Sequence, residues 1–445
     1  MLSQDEARKI IEKALGYGSG SELQVSLGGG SRGDTRFAVN TATTSGYRDS
    51  VSLGVNARFG KRSGASTTNT LTDESIARTV RAAEAIAKLS PEDPETMPLL
   101  GAQTYTPVAA YDDATAAAGP DWRSKIVAAT IEPARAKNLV AAGFIDNGGG
   151  FTALGNSKGL IAYHRATSAG FTTTVRTGIG TQGGSGWATA EGNRISDIDG
   201  ERVAATALRK AELSANPVAI EPGKYTVVLE PAAVADLVGV MGFFMNARAA
   251  DEGRSFMTKP GGGNRKGEKF FGDMVTIYTD PANPVGPGEP FSGEGLPSRR
   301  TEFVKNGVVT NLFTDRYWAE KTKTEPVPFP TNLIMEGGTT SVDEMVASTD
   351  RGILVTRLWY IRLVDPKTVL LTGLTRDGTF LIERGKIKSA IKNFRFNESP
   401  AIMLNNIEAM SPSVRVTGSE GGNFPTMIPA LKVSNFTFTS LSDAV

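Results

Sequence analysis

The sequence PAAVADLVGVMGFFMNARAADEG at residues 231–253 contains the longest uncharged apolar run of the chain. Its apolar side chains recur at the three- and four-residue steps of one helix, at Val234, Leu237, Val238, Met241, Phe244 and Met245. Pro231 suits a first helical position, because its missing N–H would have no partner there, and Gly253 suits a helix stop. The stretch therefore predicts one core helix over 231–253, with little of its surface facing water.

The composition is that of an ordinary globular protein and excludes several functions. The chain has 445 residues, enough for about three domains, with 40% hydrophobic and 21% charged residues. Its 48 Lys and Arg against 47 Asp and Glu leave a net charge of +1, so no global field attracts nucleic acid or an anionic membrane. The opening MLSQDEARKIIEK has no apolar signal region, and no apolar run reaches the ~20 residues of a membrane span. We therefore expect a cytoplasmic protein.

The counts of cysteine and histidine limit the chemistry most sharply. The chain has no Cys and one His, which excludes disulfides, thiolate nucleophiles and the usual zinc ligand sets. Carboxylates, hydroxyls, Lys and Tyr remain for catalysis, or a magnesium-type site of oxygen ligands.

The order of patterns predicts an α+β fold with three sections. Section 1–98 has a helix after the capping-box pair Ser3 and Glu6, a second helix at 73–89 and a linker at 91–98. Its predicted strands are 22–27, 35–40 and 51–59, in an antiparallel sheet. Section 115–217 completes the N-terminal half and is predicted to begin with a helix at 121–138, broken or kinked at Pro133, and to end with a helix at 199–214. Between these helices we predict strands at 142–146, 159–166, 170–176 and 187–189, with turns at 147–150 and 178–186.

Section 221–445 is predicted to be a β-rich domain around one buried central helix. A strand at 224–229 leads into that helix, and Asn306-Gly307 and Arg384-Gly385 are typical of hairpin turns. Further predicted elements are strands at 354–364 and 368–374 and a short helix at 401–410.

Two glycine-rich motifs favour turns over phosphate binding. Residues 178–183 match the dinucleotide pattern G-x-G-x-x-G, but the chain continues as turn and strand instead of opening a helix. Residues 261–267 lack the lysine that a Walker loop places after its last glycine, because Glu268 stands there, so we expect a mobile loop.

Few polar residues are candidates for a site. His164 has no second histidine for a triad or a metal pair, so a surface or half-buried structural histidine is expected. The apolar run 237–245 of the core helix offers no metal-binding or proton-transferring group, and the carboxylates that follow it are Asp251 and Glu252, where acid–base work or cation binding competes with plain solvation.

Three further polar residues lie together at 294–300. Glu294 offers another carboxylate for acid–base work or a cation, and Arg299 with Arg300 offers a grip for a peptide carboxylate or an acidic partner. Glu294, Arg299 and Arg300 are therefore the candidate residues for substrate or partner binding.

Several fragments occur in a distinctive order along nearly the whole chain. They are GNSKGLIAYHRATSAGFTTTV at 155–175, DGERVAATALRKAELSANP at 199–217, NPVAIEPGKYTVVLEPAAVADLV at 216–238, EGLPSRRTEFVKNGVVTNLF at 294–313, GLTRDGTFLIERGKI at 373–387 and FRFNESPAIMLNNIEAM at 394–410. In this order they resemble the TldD/PmbA (TldE) family, long labelled modulators of DNA gyrase.

The resemblance implies a zinc peptidase fold whose metal ligands are missing here. In TldD-type subunits the helix after the first strand of the C-terminal section carries His-Glu-x-x-x-His, and a late cysteine completes the site. Aligned without gaps, Val238 and Phe243 stand at the histidine positions, Gly239 at the Glu position and Thr417 near the cysteine position. The chain thus resembles the PmbA/TldE-type subunit, with neither catalytic nor metal residues of its own.

The resemblance leads to three hypotheses. The first is a non-catalytic subunit that pairs with a zinc-bearing TldD-like partner in the proteolysis of unstructured or leader peptides. The second is a stand-alone homodimeric protein that captures extended peptides by edge-strand pairing. The third is a hydrolase that uses Glu294, Asp251 or Glu252 with an oxygen-ligated cation.

Overall fold

The computed structural model describes residues 1–178, 183–418 and 424–442. Its first half contains α1 (Gln4–Gly16), β1 (Glu22–Ala38), β2 (Thr41–Phe59), β3 (Arg62–Thr68), α2 (Asp73–Leu89), α3 (Asp113–Ala117), α4 (Pro120–Ala136), β4 (Val140–Asn156), β5 (Ile161–Arg176), β6 (Ser185–Gly192), a 3₁₀ turn (Ile195–Asp197) and α5 (Gly200–Leu213). Its second half contains β7 (Gly223–Leu229), α6 (Pro231–Phe243), α7 (Ala247–Asp251), β8 (Ile277–Thr279), β9 (Thr301–Lys305), β10 (Val308–Val309), α8 (Arg316–Thr322), β11 (Leu333–Met335), α9 (Val342–Ala347), β12 (Arg351–Val355), β13 (Leu358–Asp365), β14 (Leu370–Thr375), β15 (Thr379–Glu383), β16 (Lys386–Ala390), β17 (Phe394–Glu398), α10 (Pro400–Met403), β18 (Ile407–Met410), β19 (Val414–Arg415), β20 (Thr426–Ile428) and β21 (Leu431–Leu441).

The first half forms one antiparallel sheet in the order β3-β2-β1-β4-β5-β6. Helices α1 and α2 cover one part of it through a core that includes Ile11 and Val80, while α4 and α5 cover another part through Ile131 and Leu208. The capping box of Ser3 and Glu6 begins α1 as predicted. The predicted α+β class is confirmed in this half.

The strands of this sheet are much longer than predicted. Residues 147–150 were expected to form a turn, but they lie inside β4 and pair with β1, with Gly30 opposite Gly150. A Cβ on Gly30 would lie 2.3 Å from the carbonyl oxygen of Gly149, so glycine serves here to let two backbones approach. The glycine run is a close-packed part of a strand, and the turn prediction was wrong.

The second half builds two further sheets around α6. One has the order β10-β9-β8-β11-β20-β19, and the other β13-β14-β17-β21-β7-β12-β15-β16, with β18 added to β21. Helix α6 contacts β20 of the first of these sheets and β7 and β13 of the second, so it lies between them. The predicted β-rich section with a buried central helix is confirmed.

The predicted single helix over 231–253 is wrong in its length. Helix α6 ends at Phe243, and α7 begins anew after Asn246, whose side chain accepts a hydrogen bond from the Ala249 N–H. Between them, Phe313 donates its N–H to Met245 and accepts one from Ala247. This backbone pairing replaces helical hydrogen bonds and changes the direction of the chain. The apolar periodicity of the sequence did not indicate this break.

Other boundaries differ for local reasons. Helix α4 continues through Pro133 without a break, because the proline stands in its last turn. The predicted helix at 401–410 is only α10 followed by strand β18, and the predicted strand at 354–364 is divided between β12 and β13. The hairpins at Asn306-Gly307 and Arg384-Gly385 are confirmed by β9 with β10 and β15 with β16.

Strand β6 touches α5 so closely that only glycine fits at one position. A Cβ on Gly186 would lie 2.3 Å from both the Ala207 carbonyl oxygen and the Ala211 nitrogen. We expect Gly186→Ala to lower the free energy of unfolding by about 1 to 3 kcal/mol through overpacking, measured by urea denaturation. The control is Gly28→Ala in β1, where the nearest atom is 3.4 Å from the added Cβ. Equal stability of the two variants would contradict this account of the α5–β6 contact.

Candidate functional site

A small cavity at the end of α6 brings together three of the four positions that the resemblance assigns to the family's metal ligands and general base. Gly239, Phe243 and Thr417 line this cavity of about 30 Å³, which we call the helix cavity. Val238, the fourth position, is fully buried in the core that surrounds α6 and does not line it. The remaining lining residues are Ala235, Gly242, Phe329, Pro330, Leu333, Gly418, Phe424 and Thr426.

The helix cavity is lined by aromatic rings and small residues. The Phe243 ring is stacked on Phe329 at 5.3 Å between centroids, and Phe313 meets Phe329 edge-on at 5.1 Å. The Thr417 hydroxyl is buried and has no hydrogen-bond partner among the described residues. Zinc binding requires imidazole, thiolate or carboxylate ligands, and none of the described residues that line this cavity provides one. The residues therefore do not fit the zinc of the family.

No alternative metal centre is formed elsewhere in the described ranges. Over residues 1–178, 183–418 and 424–442, no group of three or more His, Asp or Glu side chains is placed to hold an ion. Within the same ranges, no helix is both long and apolar enough to cross a membrane.

A larger cavity of about 610 Å³ adjoins the helix cavity, and we call it the central cleft. The two share Phe329, Pro330 and Phe424, while the opposite wall of the cleft is formed by β4, β5 and β6 of the first sheet. The ionisable side chains that line it are Arg32, Asp146, His164, Glu191, Glu289 and Arg415. The cleft thus joins the N-terminal sheet to the position of the missing metal site.

His164 is a buried wall residue of the central cleft. Only 7% of its surface is exposed, and its Nε2 has no hydrogen-bond partner among the described residues. Burial lowers the pKa of His164 below its ordinary value of 6.5, so the ring is neutral at physiological pH. The sequence predicted a surface or half-buried structural histidine, and the predicted exposure was wrong, because His164 lies on the buried face of β5. Its position in the cleft was not predicted.

An ion pair between Glu191 and Arg415 stands in the wall of the cleft. Their side chains approach to 3.7 Å, and the Arg415 guanidinium also donates to Asn193 and, at 2.8 Å, to the Val285 carbonyl. Burial raises the pKa of Glu191 and lowers that of Arg415, while each charge partly offsets the shift of the other. Both residues also line a second cavity of about 710 Å³, the lateral cavity, so the pair lies between the two spaces.

Asp146 is a second carboxylate of the cleft that sequence reasoning missed. It is 6% exposed and accepts a 2.8 Å ion-pair contact from Arg32. Burial raises its pKa, and the Arg32 hydrogen bond and charge offset part of that shift. Asp146 lies on β4 and Glu191 on β6 of the same sheet. Their placement in one cleft can be predicted only when the register of these strands is known.

The candidates from section 294–300 do not form a cluster. Glu294 pairs with Arg316 at 3.4 Å, whereas Arg300 lies over the Tyr278 ring at 4.0 Å and pairs with Asp280 at 3.5 Å. Arg299 is exposed, and none of the three candidates lines the helix cavity, the central cleft or the lateral cavity.

The carboxylates after α6 have structural partners. Asp251 accepts hydrogen bonds from the Asn264 amide and the Trp318 indole, both at 2.8 Å. Glu252 accepts from Arg254 and Arg248, which hold its pKa below the ordinary range. These contacts leave neither group directed at the cleft, which weakens the hypothesis of a carboxylate hydrolase.

The two glycine-rich motifs differ in what the structure describes. Most of the G-x-G-x-x-G motif, at 179–182, lies outside the described residues. In the motif at 261–267, Lys259 accepts a hydrogen bond from the Gly262 N–H and donates its own to the Gly263 carbonyl, which forms a compact turn. The phosphate-loop geometry is not formed there.

Comparisons with known proteins agree along the whole chain. Residues 222–440 match the model of the PmbA/TldA metallopeptidase C-terminal domain, and residues 112–215 match the central domain of the same family. Metalloprotease PmbA of Escherichia coli O157:H7 is 23% identical, with 98% of each chain covered. A metalloprotease TldD homolog of Buchnera aphidicola is 25% identical over 39% of this chain and 42% of its own length.

The solved structures show the same fold. TldE from Thermococcus kodakarensis superposes with a TM-score of 0.87 at 18% identity, covering 97% of this chain and 99% of its own. A Bacteroides thetaiotaomicron protein, named for modulation of DNA gyrase, superposes with a TM-score of 0.85 at 20% identity, covering 99% of this chain and 100% of its own.

The buried, neutral His164 predicts a pH-dependent stability. Its pKa is lowered in the folded state, so the unfolded chain binds a proton first as the pH falls through 6.5. Stability from this residue is present above pH 6.5 and is lost as the pH falls toward the lowered folded pKa. We expect urea denaturation at pH 7.5 and pH 5.5 to show a larger loss for the wild type than for His164→Gln.

Because His164 is the only histidine, its single imidazole resonance gives an independent check by NMR. A titration midpoint at or above 6.5, or equal acid sensitivity of the two proteins, would contradict the burial argument.

Proposed function

The chain belongs to the PmbA/TldD metallopeptidase family, and from this premise we propose that it is a non-catalytic subunit of a TldD/TldE-type peptidase complex. In this proposal a zinc-bearing TldD-like relative performs the hydrolysis, and this chain shapes the path of the substrate. The substrates are unstructured or leader peptides, and the complex works in the cytoplasm.

The single observation that carries the proposal is the composition of the helix cavity. Gly239, Phe243 and Thr417 offer one hydroxyl where a zinc peptidase needs three ligands and a general base. The ring of Phe243 packs on Phe329 in the space beside the helix. The fold is thus retained while the residues needed to activate water are replaced.

The central cleft supports a role in guiding peptides. His164 Nε2 is buried there without a hydrogen-bond partner among the described residues, and Glu191 Oε1 has only the 3.7 Å ion-pair contact with Arg415, although buried polar groups are normally paired. An extended peptide carries one N–H and one C=O on nearly every residue and supplies both kinds of partner. In the proposed complex the cleft holds the substrate by its backbone and leads it toward the zinc-bearing subunit.

The long strand β2 offers a surface for subunit pairing. Residues 41–50 are exposed, and β3 pairs with β2 only from Leu53 onward, so in the described chain the first part of β2 is an open edge. Tyr47 projects from this edge with 70% of its surface exposed. An open edge of this length is a template for pairing with another chain. This observation supports a dimer formed through the N-terminal section.

A stand-alone homodimeric peptide-binding protein is the second candidate. The observation that favours it is the open edge of β2 at residues 41–50, which can pair with a second copy of this chain or with an extended peptide. Such a protein captures peptides without any zinc-bearing relative.

Purification of the tagged protein from its own cells tests the proposal. We expect a zinc-loaded relative to elute with it in equal amount, identified by mass, with chelator-sensitive peptide hydrolysis by the pair. Recovery of only the bait, metal-free and dimeric, would contradict the subunit proposal and favour the stand-alone protein.

A variant at the open edge links this result to the structure. Tyr47→Glu adds a charge at the proposed contact, and we expect it to reduce the recovered partner about tenfold or more. The matched control is Leu89→Glu at the end of α2, whose side chain is 88% exposed outside that edge. Equal partner recovery by both variants would place the contact elsewhere.

A further inference from the structure

A separate cavity of about 370 Å³ lies where the first sheet meets β13 and the turn between β14 and β15. We call it the arginine cavity, because Arg176, Arg357 and Arg376 line it. It shares no lining residue with the helix cavity, the central cleft or the lateral cavity. Its use therefore does not depend on the proposed function.

One carboxylate, that of Asp377, contacts two of these arginines. Asp377 is 3% exposed and accepts a hydrogen bond from Arg357 Nη1 at 3.0 Å, while Arg376 Nε lies 3.6 Å from the same oxygen. The other carboxylate oxygen accepts from the Ser185 hydroxyl. Asp377 is the only acidic residue that lines the cavity, so the described lining carries more positive than negative charge.

The arginine side chains are held in place before any ligand binds. The Arg357 guanidinium lies over the Trp187 ring at 4.6 Å, and Arg376 lies over Trp359 at 4.0 Å. Asp377 adopts a left-handed backbone with φ of +53°, and its carboxylate contacts both guanidinium groups. Stacked arginines present their planar forks at low entropic cost, which suits the recognition of oxyanions.

The guanidinium groups of Arg357 and Arg376 carry more N–H donors than the acceptors that the described residues around them use. Each guanidinium carries five N–H groups, and the buried Nε of Arg357 has no hydrogen-bond partner in the part of the chain that the structure describes. The side chains of Arg357 and Arg376 are 14% and 18% exposed, so solvent reaches them only in part. Burial lowers the pKa of Arg376, the charge of Asp377 opposes this shift, and the repulsion by the neighbouring charges of Arg357 and Arg176 adds to it. A bound anion satisfies the free donors and relieves this repulsion.

We propose that the arginine cavity binds a phosphate group, either free or as the ester of a small molecule. Phosphate accepts the paired N–H groups of an arginine fork and carries the charge that offsets the excess on the wall. The volume exceeds that of one phosphate, and the half-buried Trp359 ring provides an apolar surface for an attached group. Strands of the first sheet and residues of the second half both line the cavity, so a bound anion contacts both halves of the chain.

Calorimetric titration of the full chain at constant ionic strength tests this site. The probes are inorganic phosphate and glycerol phosphate, with chloride as the matched salt. We expect saturable binding of at least one phosphate probe at one site per chain, accompanied by an increase in melting temperature. If inorganic phosphate binds, the free ion is a ligand. If only glycerol phosphate binds, the attached group is necessary for binding. Either result supports the site.

Two variants locate the binding. Arg376→Gln removes one fork, and we expect it to weaken binding about tenfold or more. Arg362→Gln is the control, because Arg362 also lies over an aromatic ring, Tyr360 at 4.0 Å, but does not line the cavity. Arg376→Lys retains the charge without the fork and keeps the test valid if Arg376→Gln does not fold. Absence of saturable binding by the wild type, or equal binding by the wild type and the Arg376 variants, would overturn the proposal.

Discussion

The burial of α6 between the two C-terminal sheets is the constraint on which the second half of the structure depends. The helix has no lysine, arginine or glutamate between Pro231 and Phe243, and its one carboxylate, Asp236, is fully buried. An apolar helix is stable in water only if other elements cover it on most sides. Strands β7, β13 and β20 and helix α10 provide that cover, and their placement brings Thr417 next to the end of the helix.

The same constraint explains how the fold persists while the site changes. The core around α6 is built by residues such as Leu237, Val238 and Met241, which lie outside the helix cavity. In the alignment implied by the family resemblance, the histidine positions are occupied by Val238, which is part of this core, and by Phe243, whose ring packs with Phe329 beside the helix. The core is complete with an apolar residue at one of these positions, so the fold does not depend on the side chains that a metal site would need.

The sequence predicted those elements whose signals are local. The capping box of α1, the periodicity of α2 and α5, and the Asn-Gly and Arg-Gly hairpins each depend on residues within one element, and all are confirmed. The break after Phe243 depends on backbone pairing with Phe313, which lies far along the chain. Likewise, the run at 147–150 was taken for a turn because its need for glycine comes from the facing strand β1.

The central cleft was hidden from sequence analysis for the same reason. Asp146, His164, Glu191 and Arg415 come from three strands of one sheet and one strand of another, and no spacing along the chain relates them. The absence of cysteine and the single histidine predict that the chain lacks the family's zinc ligands, because a composition count needs no strand register, and this stays a prediction. The tertiary structure was needed to show which polar groups share a cleft.

Native mass spectrometry of the purified chain, after incubation with excess zinc and removal of free metal, tests the central claim most directly. The account predicts a mass equal to that of the metal-free polypeptide, because the described residues around the helix cavity provide no set of zinc ligands. A population carrying one tightly bound zinc ion per chain would contradict it.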